Sequence, residues 1–308
     1  MPDGLLSTAD RNFFSFKFAA ACFAELVGTM IFAFFGGGLV STDAQEVAWL
    51  NGLALAVLIY VTANISGGHL NPAVTLPTIL TGHTGLFKGC VYVVMQLSGS
   101  ALASLLLAGL YPGASVSNKE LGVGCFGFRE VPTGHLSRGM AFGWEAIMTF
   151  TLVATVYSVA LGTPNFGNVG PLIIGLVQAA AAMLSSDKTG AAINPARALG
   201  PTFVFQCDWS VVWVYVPGGA SRRFYCWYSV MAAIWIRRSV WPAWAEDHEA
   251  PEAAEAQAEA EAASWRAPCK WTRASPWAQA HRHVRPLTSQ QATGDHVRFE
   301  GERSKASS

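Results

Sequence analysis

The sequence predicts an all-α membrane protein built from two inverted repeats. Hydrophobic residues make up 52% of the chain and charged residues only 13%, against about 25% in an average soluble domain. Long uncharged runs recur, and two segments between them contain the same tripeptide, Asn-Pro-Ala, starting at Asn71 and Asn194. The offset is 123 residues (194−71), and two isolated acids, Glu25 and Glu145, are offset by 120. Such duplication indicates an inverted-repeat membrane architecture.

The first half holds three candidate spans and one short segment. The spans are residues 18–40, 49–65 and 86–110. Glu25 is the single charge in the first span. After a Gly-Gly break, the segment that begins at Asn71 stops at Gly82, about half the roughly 20 residues that a helix needs to cross a bilayer. This segment is therefore predicted to enter the membrane without crossing it.

The second half repeats this order. Residues 139–161 and 169–184 form two further spans, and Glu145 is the single acid in the first of them. The segment from Asn194 to Cys207 is again too short to cross. A re-entrant segment is tolerated in a membrane only where protein buries it or where it lines water. We therefore predict two half-helices that enter from opposite faces.

The sixth span is atypical. It begins at Trp209 with an apolar run, but Arg222 and Arg223 interrupt it. Each charge at the bilayer centre costs about 2.5–3.5 kcal/mol on insertion scales. A second arginine pair, at 237–238, leaves only thirteen uncharged residues, 224–236, between the pairs. An odd number of spans would break the repeat symmetry, so a damaged sixth span is expected.

The Asn-Pro-Ala triplets predict helix starts. Asparagine is a favoured N-cap and proline is favoured at the first helical position. If the two starts meet at the midplane, their positive dipole ends oppose cations, and each amide NH₂ is left free for a water molecule. Arg197, one turn beyond, would present its donors to the same lumen. Glu25 and Glu145 are expected to accept hydrogen bonds from loop N–H groups, although helix pairing is the alternative.

The residues 66–75 and 190–201 resemble the two signature loops of the major intrinsic proteins, the aquaporins and aquaglyceroporins. The resemblance covers about residues 13–215. It implies a homotetramer with one pore per subunit, six spans plus two half-helices, and cytoplasmic termini. It also implies a passive channel without a cofactor, a metal or catalysis. The pore motifs implied are Asn71, Pro72, Ala73, Asn194, Pro195 and Ala196.

The resemblance also places the narrowest point of the pore, the selectivity filter, on Asn51, Ala182, Ala191 and Arg197. Strict water channels usually have a Phe and a His at the first two positions. The smaller residues here predict a wide pore, and Asn51 adds a donor and an acceptor. We expect water and a small neutral solute such as glycerol, urea or ammonia to pass. Ala198 and Thr202, however, look more like a water channel, so the solute stays open.

Three further features have structural interpretations. His69, beside the first half-helix, is expected to support the loop rather than to sense pH. The six cysteines show no metal spacing and are assigned no role. The chain divides into a channel body, 1–236, and a polar tail, 237–308, which is predicted to be disordered. The composition changes at Pro217, which suggests a shifted reading frame.

Two other functions stay open. The chain could be a membrane scaffold or junction protein that keeps the fold without conducting, or a non-functional product of the altered sixth span. An enzyme is the least expected class because the sequence shows no nucleophile–base pair, phosphate loop or metal cluster, and nucleic acid is not expected as a partner. The plasma membrane is the default location.

Overall fold

The computed structural model describes residues 15–39, 43–113, 116, 123–127, 130–131, 134–162 and 166–216. These residues form an almost entirely helical body. The helices are α1 (Phe16–Gly38), α2 (Ala44–Ser66), α3 (Pro72–Leu80), α4 (Leu86–Leu110), α5 (Arg138–Val156), α6 (Gly170–Ser185), α7 (Pro195–Phe205) and α8 (Trp209–Val212). A π-helical turn, Tyr157–Leu161, continues α5, and a short 3₁₀ turn, Gly167–Val169, precedes α6.

Five helices in the described residues are long and apolar enough to cross a membrane. They are α1, α2, α4, α5 with its π-helical extension, and α6 with the preceding 3₁₀ turn. Each lies within a few residues of a span predicted from the sequence. Many of their large apolar side chains are exposed, among them Phe23, Val57, Leu105 and Ile147. Such an apolar exterior suits a lipid environment, and the all-α membrane fold is confirmed.

The two short helices begin where the Asn-Pro-Ala triplets predict. In α3 and α7 the asparagine is the N-cap, its side-chain oxygen accepts a hydrogen bond from the alanine N–H of the triplet, and proline occupies the first turn. The helices contain 9 and 11 residues. At a rise of about 1.5 Å per residue, neither can cross a hydrocarbon core of about 30 Å.

α2 and α6 cross at close range through small residues. A Cβ atom on Gly52 would lie 2.5 Å from Ala179 Cβ, and one on Gly175 would lie 2.5 Å from Ala56 Cβ. Both helices therefore carry a small-xxx-small pair, which allows backbones to approach closely in membrane bundles. Gly52 and Gly175 are offset by 123 residues, so the repeat itself builds this crossing.

α8 begins at the position that corresponds by repeat to the start of α4. Trp209 follows Leu86, the first residue of α4, by the same 123 positions. Asp208 caps α8 by accepting a hydrogen bond from Ser210 N–H. The predicted interruption at Arg222, the boundary at 236 and the polar tail all lie outside the described residues.

The connection between α4 and α5 contains structure that the sequence did not predict. Glu130–Val131 and Gly134–His135 form a two-stranded antiparallel hairpin, β1 and β2. A disulfide joins Cys125 in this connection to Cys207 at the end of α7. The expectation that the cysteines have no role is therefore wrong for this pair, which ties the α4–α5 connection to the second half-helix.

Candidate channel site

The N-termini of α3 and α7 meet inside the helix bundle and are joined by reciprocal hydrogen bonds. Asn71 Nδ2 donates to Ile193 O at 3.0 Å, and Asn194 Nδ2 donates to Leu70 O at 2.9 Å. Both asparagines are buried. The expectation of free amide groups needs correction, because each NH₂ commits one hydrogen to the opposite loop. One N–H of each amide remains for the lumen.

The loops before the half-helices share one unusual backbone path. In each, three residues adopt left-handed φ values between 51° and 101°, and the pairs Gly67/Gly190, Gly68/Ala191 and Leu70/Ile193 are each offset by 123. For a non-glycine residue this conformation costs on the order of 1–3 kcal/mol. Such strain persists only where the surroundings fix the backbone, and two buried glutamates do so here.

Glu25 fixes the first loop from α1. Its carboxylate accepts hydrogen bonds from the backbone N–H groups of His69 (3.0 Å) and Leu70 (2.7 Å). The Ser66 hydroxyl and Gln96 Nε2 also donate to it, at 2.6 and 2.8 Å. Four donors thus surround the two carboxylate oxygens, two of them backbone N–H groups of the loop.

Glu145 holds the second loop from α5 in the same way. It accepts from the backbone N–H groups of Ala192 (3.2 Å) and Ile193 (2.8 Å), and from the Thr189 hydroxyl at 2.5 Å. The described residues contain no fourth donor, because the position 123 after Gln96 is Gly219, beyond the described range. In both loops the glutamate orients backbone N–H groups next to a half-helix N-terminus.

Two tyrosines complete the loop supports. Tyr92 donates its hydroxyl to Ser66 O, and Tyr215 donates to Thr189 O, each at 2.8 Å. The tyrosines are offset by 123 residues, and so are Ser66 and Thr189, whose carbonyl oxygens accept the two hydrogen bonds. Sequence reasoning did not single out these residues, although the repeat offset would have found them. The duplication thus extends to Tyr215 at least.

Arg197 lies one turn into α7 and is buried. Its Nη1 donates to Ala191 O and Ala192 O at 3.2 and 3.3 Å. Its guanidinium carbon lies 5.1 Å from the ring centre of Phe32 and 5.4 Å from that of Phe126. These contacts hold the cation between two aromatic faces. Phe126 comes from the disulfide-tied connection and was not singled out in the sequence.

Asn51 lies beside the arginine. A Cβ atom on Gly36 would be 2.6 Å from Arg197 Nη2 and 2.9 Å from Asn51 Oδ1, so both groups border the same small space. One hydrogen of the Asn51 Nδ2 group is donated to Val47 O within α2 at 2.7 Å, which leaves one N–H of this amide. Its Oδ1 has no partner among the described residues and faces this space as an acceptor.

The other two positions expected at the filter carry small side chains. Ala182 and Ala191 are buried in one apolar cluster that also contains Phe32. Ala191 has a φ of 53°, and its counterpart in the first loop is Gly68. Neither alanine can hydrogen-bond through its side chain, so Arg197 and Asn51 carry the polar chemistry of the four.

A cavity of about 190 Å³ lies within the bundle and reaches the first half-helix. Asn71, His69, Thr78 and Gln178 are its polar lining residues, while Phe32 and Leu55 belong to its apolar wall. His69 also contacts Thr75 Oγ1 through Nδ1 at 3.2 Å and packs edge-on against Tyr92. In the described part of the chain no cluster of three potential metal ligands occurs.

Two half-helices that meet within a bundle of apolar spanning helices define a membrane channel built as an inverted repeat. The chain belongs to the major intrinsic protein family, whose profile, described as major intrinsic protein, matches residues 12–220. The members of this family are channels and not enzymes. The chain is thus a multi-pass membrane channel for water or small solutes.

Individual relatives agree with this assignment. The chain is 39% identical over 215 residues to a probable TIP-type aquaporin of Medicago truncatula, covering 63% of this chain and 79% of that protein. It is 37% identical over 215 residues to aquaporin TIP4-4 of Zea mays, with 64% and 80% covered. The X-ray structure of the aquaglyceroporin from Plasmodium falciparum matches with a TM-score of 0.52 and 26% identity, covering 70% of this chain and 90% of that one.

Proposed function

We propose that this chain conducts water and a small neutral solute such as glycerol, urea or ammonia passively through one pore per subunit. The observation that carries the proposal is the reciprocal pair of hydrogen bonds by which Asn71 and Asn194 hold two half-helix starts together. The positive ends of both helices then act on one point of the lumen. Cations and protons are opposed there, whereas neutral molecules cross at little electrostatic cost.

Each pore motif residue has a role in this proposal. The two asparagines offer their remaining amide hydrogens to a passing oxygen atom. The prolines and alanines of the triplets are Pro72, Ala73, Pro195 and Ala196, and they fix the helix starts so that the asparagine side chains stay in place. Glu25, Glu145 and His69 support the loops.

The filter residues set the width and the polarity of the pore. Ala182 and Ala191 leave room that larger side chains would fill. Arg197 offers guanidinium donors and Asn51 an unpartnered oxygen on the border of the same space. A solute that both donates and accepts hydrogen bonds can satisfy the two groups together. This pairing supports a solute such as urea or glycerol in addition to water.

We also propose a homotetramer with both termini in the cytoplasm. Three spans, α1, α2 and α4, separate the N-terminus from the α4–α5 connection, which places the two on opposite faces of the membrane. The disulfide between Cys125 and Cys207 supports this orientation, because disulfides persist in oxidising compartments and are rare in the cytosol. The plasma membrane is the default location, and the TIP-type relatives make the tonoplast the alternative.

The test is stopped-flow light scattering on vesicles that contain the purified full chain. An impermeant osmolyte measures water flux, and inward gradients of urea or glycerol measure solute flux. The double variant N51F/A182H restores the two bulky residues of a strict water channel. We expect it to keep water flux and to lose solute flux. Solute flux that is equal in both proteins, or absent from the wild type, would refute the wide-pore part of the proposal.

A further inference from the structure

Gln178 is a buried amide on an apolar helix. Apart from Ser185 near its end, it is the only polar side chain in α6. It is 2% exposed, and its Nε2 has no hydrogen-bond partner among the described residues. Buried amides are almost always hydrogen-bonded in folded proteins. An orphaned one therefore points to a partner that is not part of the protein.

The amide borders the channel cavity rather than a helix contact. Gln178 lines the 190 Å³ cavity together with Asn71 of the first half-helix. Most of the wall around the two amides is apolar, with Phe32, Leu55 and Leu152 among its residues, and His69 and Thr78 are the other polar side chains. A cavity with a few polar groups on an apolar wall is the usual form of a small-molecule site.

The helix register places Gln178 directly along the path of the solute. It lies four residues before Ala182, the filter position on α6, and four residues after Ile174, which also lines the cavity. Residues four apart share a helix face and are separated by about 6 Å along the axis. A solute that leaves the filter would thus meet Gln178 one turn further on.

The repeat shows that the fold itself does not require this polar group. Gln178 precedes Asn194 by sixteen positions, and Leu55 precedes Asn71 by the same number (194−178 = 71−55). Both residues line the cavity from equivalent places on α6 and α2. An apolar side chain therefore serves at one of two symmetric positions, and the amide at the other is an addition.

We propose that Gln178 is a specificity-determining residue that contacts the solute and, with Asn71, binds small neutral molecules that carry several hydrogen-bonding groups, such as urea or a polyol. Such a molecule loses several water contacts on entry, and a second amide on the cavity wall replaces part of them. A water molecule needs fewer hydrogen-bond partners, so it gains less from the Gln178 amide. This inference rests on the proposed function, because it assumes that a solute passes the filter.

The test compares urea and water permeability in vesicles that contain the full chain. Q178M keeps the unbranched shape of the side chain and removes its hydrogen bonding, and Q178L is a second variant in case the first does not fold. Losing one hydrogen bond to a neutral partner corresponds to roughly a three- to tenfold effect. We expect urea permeability to fall by that factor while water permeability stays within about twofold.

A reciprocal exchange provides the matched control. The double variant L55Q/Q178L moves the amide to the symmetric position, and we expect it to recover part of the urea flux that Q178L loses. If Gln178 has only a structural role, Q178M and Q178L should instead lower stability and leave the ratio of urea to water permeability unchanged. An unchanged permeability ratio in Q178M and Q178L would overturn the inference about Gln178 and leave the proposed function standing. A wild-type chain that conducts water but no urea or glycerol would overturn the solute proposal together with it.

Discussion

Replacing each buried glutamate with glutamine tests how the loops are held. In E145Q, an amide NH₂ that takes the place of Oε2 faces the Ile193 N–H, so one buried donor loses its acceptor. In E25Q, either orientation of the amide displaces an oxygen that accepts from two donors, one of them a backbone N–H. An orphaned buried donor costs about 1–3 kcal/mol. The second donor at each oxygen of Glu25 is the Ser66 hydroxyl or the Gln96 amide, and either group can turn to accept from the new NH₂. We therefore expect destabilisation by about 1–3 kcal/mol in each variant.

The assay is the thermal unfolding midpoint of the purified full chain in detergent. One kcal/mol corresponds to about 2–4 °C for a chain of 150–250 residues, so both variants should be separable from the wild type. E46Q, on an exposed side chain of α2, serves as the control and should change the midpoint least. A midpoint equal to that of the wild type in either variant would refute the reasoning.

Three further predictions concern the filter, the disulfide and an exposed cap. G36A places a methyl group 2.6 Å from the Arg197 guanidinium, so water flux in vesicles should fall. In the control G109A the added methyl group meets no atom within 4 Å, so the flux should not change. Equal flux in G36A and the wild type would contradict this prediction. C125S/C207S should lower stability by about 2–4 kcal/mol in thermal unfolding, unlike a serine at the free Cys90. Hydrogen bonds from the hydroxyl and N–H of Ser210 lower the pKa of Asp208. The ionised carboxylate therefore contributes to folding stability above the unfolded pKa of about 3.9, and this contribution is lost on further acidification. The unfolding midpoints of wild type and D208N should converge below about pH 4, and midpoint curves that stay parallel would contradict this.

The sequence predicted the fold because the repeat is visible in the chain itself. The offset between Asn71 and Asn194 predicted both half-helices, and apolar run lengths predicted five spans. The same offset also pairs Tyr92 with Tyr215, which a more complete search would have found. These features follow from local composition and from one constant spacing.

Contacts between distant segments could not be predicted in the same way. Cys125 and Cys207 are 82 residues apart, and no periodic pattern relates them. One of the two amide hydrogens of Asn51 is donated to Val47 O, and this contact depends on a side-chain rotamer and not on residue type. Gln178 reads as one polar residue in an apolar run until the cavity beside it is known. Tertiary packing decides each of these cases.

The most direct test of the account is the osmotic water permeability of vesicles that contain the purified full chain. The wild type should exceed empty vesicles several-fold. N71L/N194L, which removes both capping amides, should return the permeability to the level of empty vesicles, while N64A, on an exposed face of α2, should keep the flux of the wild type. Wild-type chain that inserts into the vesicles without raising water permeability, or a double variant that conducts as well as the wild type, would contradict the claim that the paired half-helices form the pore.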